Sequence, residues 1–172
     1  MSVSLRRYRP AMIGLHWATV AVILVAYFLS EGGRGVRLHP PLLHFAFGLS
    51  VLVLVAARLV ARALGGAPTL QMRGRPLLRI AAKLGHLTLY LLLIAVPLSG
   101  WYAASKLGVV AWFFGLILPP LTVATGSSAG LVGKLHQVGG NLILILGGMH
   151  AAMALWHQFV WRDGTLQRMV PY

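Results

Sequence analysis

The sequence predicts an all-α integral membrane protein, a bundle of four transmembrane helices. Three observations lead there. Of the 172 residues, 58% are hydrophobic and only 10% charged, whereas a soluble domain carries roughly 25% charged residues to cover its surface. The charges are absent from whole blocks: residues 10–30, 38–57, 84–105 and 135–161 contain no Asp, Glu, Lys or Arg. Each block supplies the ~20 apolar residues that a spanning helix needs. A soluble bundle would require polar helix faces that these blocks lack.

One domain, 1–172, is expected, with spans near 11–30, 41–61, 83–104 and 135–160. Water is missing from the bilayer core, so each span must satisfy its own backbone and is therefore helical. The basic stretch Arg6, Arg7, Arg9 before the first span looks like a leader. Its apolar run exceeds the usual ~7–15 residues and no small-x-small cleavage site follows, so the span is expected to stay in the mature chain. The first connection, 31–40, is short and Gly-rich. The second, 62–82, holds Gly65, Gly66, Pro68, Gly74 and Pro76 and is read as an extended loop. In the third, 106–134, the apolar run 107–118 is cut by Pro119-Pro120, too short to span. Trp112, Phe113 and Phe114 suit a segment at the membrane interface, before a Ser/Gly-rich turn at 122–133.

Fifteen Lys and Arg against two acidic residues invite a nucleic-acid reading, which fails on distribution. Arg6, Arg7, Arg9, Arg58, Arg62, Arg73, Arg75, Arg79, Lys83, Arg162 and Arg168 fall on one side of the four-span arrangement; Arg34, Arg37, Lys106 and Lys134 fall on the other. This asymmetry is the positive-inside pattern and puts both termini in the cytoplasm. Cysteine is absent. That excludes covalent c-type haem, Cys-ligated iron–sulfur clusters and thiol–disulfide chemistry. A redox cofactor would be held noncovalently.

Six of the seven histidines lie in or at the edges of spans: His16, His44, His86, His136, His150 and His157. Ionisable groups in a membrane are costly and face the bundle interior with a partner. Zinc or copper would accept imidazoles, but their vertical distribution favours a larger cofactor. His136 and His150 are fourteen residues apart, almost four turns, so they share a helix face at a separation of ~21 Å. One helix could thus supply an axial ligand to each of two haems stacked across the bilayer. By depth His44 matches His136 and His16 matches His150. His86, at a depth close to that of His16, is an alternative ligand or a partner of a haem propionate. His157, two turns beyond His150, is either a water-bonded interfacial residue or part of a site. His39 is expected to be solvated. Gly14, Gly48, Gly139, Gly140 and Gly147 lie within a turn of these histidines and could leave room for a macrocycle or simply pack helices.

The chain resembles the prokaryotic cytochrome b-561 family of small di-haem membrane proteins. The resemblance runs from the first helix to the C-terminus. It is carried by Leu15-His16-Trp17, Leu84-Gly85-His86-Leu87 with Tyr90, Pro97 with Gly100, Leu135-His136, His150-Ala151-Ala152, His157, and Trp161-Arg162-Asp163-Gly164-Thr165-Leu166-Gln167-Arg168-Met169. It implies a bacterial inner-membrane protein with two haem b groups, His16 and His150 on the cytoplasmic one and His44 and His136 on the periplasmic one. It also implies a superoxide oxidase that passes electrons from superoxide to ubiquinone. Arg34, Arg37, Lys106 and Lys134 would then form a cationic rim for the anion, and His157 would serve the quinone with protons. The alternative function is a haem-bearing subunit that relays electrons between quinone and a partner redox protein, without catalysis of its own.

The charge distribution generates a topology prediction. A reporter fused after Tyr172 is expected on the cytoplasmic side, and one inserted within 122–130 on the outside. A periplasmic C-terminal reporter would invert every depth assignment above.

Overall fold

A computed structural model describes residues 8–30, 34–65, 76–126 and 128–170. Arg6, Arg7, Glu31, Gly66, Pro68, Arg73, Gly74, Arg75 and Tyr172, used in the sequence reading, lie outside the described residues, as does the side chain of Arg34. Four helices are long and apolar enough to cross a membrane: α1 (Pro10–Phe28), α2 (Leu42–Gly65), α3 (Pro76–Lys106) and α4 (Gly130–Trp156). Pro10 and Pro76 open α1 and α3, where a missing N–H costs nothing and the fixed φ is already helical. Gly65 closes α2.

The second connection is shorter than expected. The segments 62–65 and 76–82, read as loop, are helical. Arg62 and Arg79 disfavour the bilayer core but are good helix formers, so each helix continues past the apolar block. Charge marks where the membrane ends, not where the helix does.

The third connection contains an element that the sequence reading did not foresee. Ala111–Phe113 (β1) and Leu116–Leu118 (β2) pair antiparallel, with Trp112 opposite Ile117. The turn residues Phe114 (φ 45°) and Gly115 (φ 96°) both have positive φ, the backbone that a two-residue hairpin demands. Phe114 packs edge-on against Phe47 of α2 at 5.7 Å. The Trp101 indole N–H donates to Pro119 (3.1 Å), the Leu121 N–H to Ser105 Oγ (3.0 Å), and Arg37 to the Gly126 carbonyl. The hairpin is thus fastened to this end of the bundle.

The core is small. Val51 and Val55 of α2, Leu93 and Val96 of α3, and Ile143 of α4 form it, with Val22, Ile23 and Tyr90 against them. Large apolar side chains such as Val53, Leu91, Leu98 and Ile145 point outward. Lipid is as apolar as the core, so packing rather than water exclusion must hold the helices. Gly139 shows how: a Cβ there would lie 2.5 Å from Val96 Cγ2. Gly139→Ala is therefore expected to force α3 and α4 apart at a cost of about 1–3 kcal/mol. Gly148→Ala, whose Cβ meets nothing within 4 Å, should be neutral or better. Thermal melts of both variants in detergent would show it; equal midpoints would mean that α3 and α4 do not pack there.

Candidate functional site

Helix α1 packs along α2, α3 along α4, and α2 against α3, while α4 stands off from α1 and α2. The histidines meet across that gap. His44 of α2 faces His136 of α4 with ring centres 5.9 Å apart and planes at 87°. His16 of α1 faces His150 of α4 at 6.3 Å and 69°. Both pairs expected from depth are brought together. His86 of α3 also reaches His150, at 5.2 Å and 80°, so both candidates for the partner of His150 border it.

Neighbouring carbonyls fix the tautomers of three rings. His44 Nδ1 lies 2.7 Å from the Ala26 carbonyl, His136 Nδ1 2.9 Å from that of Val96, and His86 Nδ1 2.6 Å from that of Ala82. A carbonyl only accepts, so each Nδ1 carries the proton and each Nε2 keeps its lone pair. This is the state a metal-ligating imidazole needs. His16 Nδ1 is buried without a hydrogen-bond partner.

The glycines divide into two sets. Gly48, Gly140 and Gly147 lie one turn from His44, His136 and His150, and a Cβ on any of them would meet nothing within 4 Å. They border open space on the histidine faces. At Gly100, by contrast, a Cβ would sit 2.6 Å from His136 Cε1, so this glycine lets the ring lie against α3.

A sequence profile described as prokaryotic cytochrome b561 matches residues 7–172. The chain belongs to this family. It is 31% identical over 170 residues to a probable superoxide oxidase, CybB, of Yersinia pestis, covering 96% of this chain and 97% of that one. It is 35% identical over 171 residues to cytochrome b561 homolog 2 of Escherichia coli (95% and 91% covered). Against cytochrome b562 of Cereibacter sphaeroides the identity is 34% over 173 residues (95% and 94%). Membership makes the protein a multi-pass bacterial membrane cytochrome that carries b-type haem and transfers electrons across the membrane.

In this cytochrome the end of α4 forms a second polar cluster. After Trp156 the helix widens into a π-turn, His157–Trp161, a distortion that is frequent at functional sites. His157 is only 5% exposed. Its Nδ1–H donates to Asp163 Oδ2 at 2.5 Å, and Trp161 stands edge-on to its ring at 4.5 Å. The turn back is made by Arg162 (φ 49°) and Gly164 (φ 71°). The following residues return to α1, where the Trp17 indole donates to the Met169 carbonyl (2.7 Å) and the Tyr8 N–H to that of Arg168 (3.3 Å). His39 is exposed, as expected.

Sequence reasoning missed the carbonyls of Ala26 and Val96, which no residue-type pattern marks. It gave Asp163 no role beyond its place in the C-terminal motif and counted Arg58 as a topology charge. Arg58 had a signal: it stands seven residues before the end of α2, inside the apolar stretch.

The C-terminal turn titrates. Partial burial pushes the Asp163 carboxyl up, but hydrogen bonds from the Thr165 hydroxyl, His157 and the Thr165 N–H outweigh this and hold it below its ordinary value of 3.8. A depressed native pKa stabilises the docked turn above the unfolded value and ceases to do so as pH falls through the native one. Amide exchange at 163–169, corrected for intrinsic rate, should be slow at neutral pH and accelerate below about pH 4. Asp163→Asn should exchange fast at all pH values; a pH-independent wild type would exclude Asp163 as the clasp.

Proposed function

We propose that this cytochrome carries electrons from superoxide outside to ubiquinone through two b haems, with both termini in the cytoplasm of a bacterial inner membrane. His44 and His136 would hold the outer haem, and His16 and His150 the inner one. The observation that carries this reading is the pair of facing imidazoles at each level. An iron between two imidazoles, with metal–nitrogen bonds on the order of 2 Å, separates ring centres by roughly 6 Å; the pairs measure 5.9 and 6.3 Å. A bare zinc ion takes about four protein ligands, and among the described residues no group of three or more His, Cys, Asp or Glu could hold a metal. Haem iron arrives with four nitrogens and needs only two more. The open faces at Gly48, Gly140 and Gly147 favour the same cofactor.

When bound, a bis-histidine haem accepts and releases single electrons and offers no open coordination position. The protein does the rest. The Ala26 and Val96 carbonyls orient His44 and His136. Helix α4 contributes a ring to both pairs and so links the two membrane halves. Arg37, Lys106 and Lys134, with Arg34, would draw a small anion to the outer face; the name of the Yersinia pestis relative supports superoxide as that anion. His157, its Nδ1 committed to Asp163, retains Nε2 and, as the imidazolium, would donate from it to a quinone oxygen.

The test is a purified chain given superoxide and ubiquinone, with haem counted per polypeptide. The wild type is expected to hold two haems and to reduce quinone unaided. His136→Ala should keep one haem. His157→Ala should keep two and still accept electrons from superoxide, while quinone reduction slows on the order of 10²-fold. Two haems in His136→Ala would overturn the ligand assignment. An unchanged quinone rate would leave His157 a purely structural partner of Asp163. Activity that appears only with a second subunit would favour a relay between quinone and a partner redox protein.

A further inference from the structure

Arg58 is a cation inside an apolar span. Its level can be read from the packing: a Cβ on Gly65 would lie 3.3 Å from the Arg9 side chain, so those two residues meet. His16 lies seven residues beyond Arg9 on α1, and Arg58 seven before Gly65 on α2. Seven residues are two turns, ~10 Å, which places Arg58 beside His16. Its charge reaches both His16 and His150. The guanidinium sits over the Tyr90 ring, 5.4 Å from its centre, and Tyr90 is one turn from His86 on α3. Arg58 is half-buried and its Nε is enclosed with no hydrogen-bond partner. A snorkelling arginine would extend away from its neighbours to water or lipid phosphate; this one lies over Tyr90 of α3.

A guanidinium half-buried in an apolar span, with its Nε enclosed and unpaired, lacks an anion to offset its desolvation. The sequence has two acidic residues, Glu31 and Asp163. Asp163 is held by His157 and Thr165, and Glu31 lies outside the described residues, in the connection before the opposite end of α2. Among the described residues no carboxylate faces Arg58. A ligand that brings an anion would supply the partner, and the place for it is the gap beside His16, His86 and His150.

We infer that Arg58 is a carboxylate-binding site for the inner cofactor, pairing with a propionate of the haem proposed at His150. The inference rests on that haem reading but holds whether His16 or His86 completes the ligation. The planar fork of arginine matches a carboxylate bidentately, and Tyr90 keeps it flat against α3. A fixed positive charge there favours the reduced haem, which carries one positive charge fewer than the oxidised form. Arg58 is thus a positioning and potential-setting residue rather than an electron carrier.

The experiment is a spectroelectrochemical titration of the purified holoprotein with the variants Arg58→Gln, Arg58→Lys and His150→Ala. Arg58→Gln is expected to keep two haems and to make one of them about tenfold harder to reduce, a one-electron shift of about 59 mV. Arg58→Lys should restore most of it. The haem that moves should be the one missing from His150→Ala, and its propionate bending band in the resonance Raman spectrum should move too. Should Arg58→Gln fail to load, Arg58→Lys is decisive, with the same band displaced while both haems remain. Unmoved potentials and bands would overturn the inference and reduce Arg58 to packing on Tyr90. A shift confined to the other haem would overturn it as well. If His150→Ala kept both haems, the ligation reading would fall by itself; a shift in Arg58→Gln would still place Arg58 beside a haem, whereas no shift would sink both.

Discussion

A polar group placed in hydrocarbon must find its partner within the protein, since no water is there to supply one. Much of the interior follows from that constraint. The hydroxyls of Thr19, Ser50 and Ser105 turn back onto carbonyls one turn earlier in their own helices. His44 and His136 reach carbonyls on neighbouring helices and so staple α2 to α1 and α4 to α3. Tyr27 bonds Asn141 across the gap between α1 and α4 at 3.1 Å. What such pairing leaves over is informative: the second nitrogens of the histidines and the head of Arg58 stay unanswered by the polypeptide. An interior that satisfies most of its polar atoms and leaves these few facing one gap is shaped for a polar, metal-bearing guest.

Close packing and open space are held apart by glycine. Gly100 and Gly139 draw α3 onto α4, and Gly100 lets the His136 ring lie where a side chain would collide. Gly48, Gly140 and Gly147 do the reverse on the far face of α4 and around it. The same residue type therefore serves helix contact on one side and vacancy on the other, because a membrane bundle has no hydrophobic drive to close a gap by itself. The hairpin, with its Trp112 and Phe113, suits the aromatic belt where lipid tails give way to head-groups.

The four spans could be read from charge-free blocks, because lipid imposes its requirement residue by residue. The facing pairs could be read too, since fourteen residues on one helix fix both a face and two depths. Helix ends could not: Arg62, Arg79 and Lys83 record where the bilayer stops, and α2 and α3 run on past it. The hairpin was hidden because an apolar run of a dozen residues has no distinguishing period, and its turn uses Phe114 in a conformation usually reserved for glycine or asparagine. The clasp of His157 by Asp163 depends on a π-turn that displaces the chain by one residue, which no helical count anticipates.

Both facing pairs take one ring from α4, which follows the other three spans in the sequence. A ribosome delivers α1, α2 and α3 first, and until Gly130–Trp156 follows, neither pair exists in any form. The earlier helices must therefore wait in the bilayer with their histidines unmatched by α4. The returning tail, bonded to Trp17 and Tyr8, is translated later still. The pairing of the histidines is thus gated by α4: until residues from 130 onward are made, the first three-quarters of these 172 residues can complete neither pair.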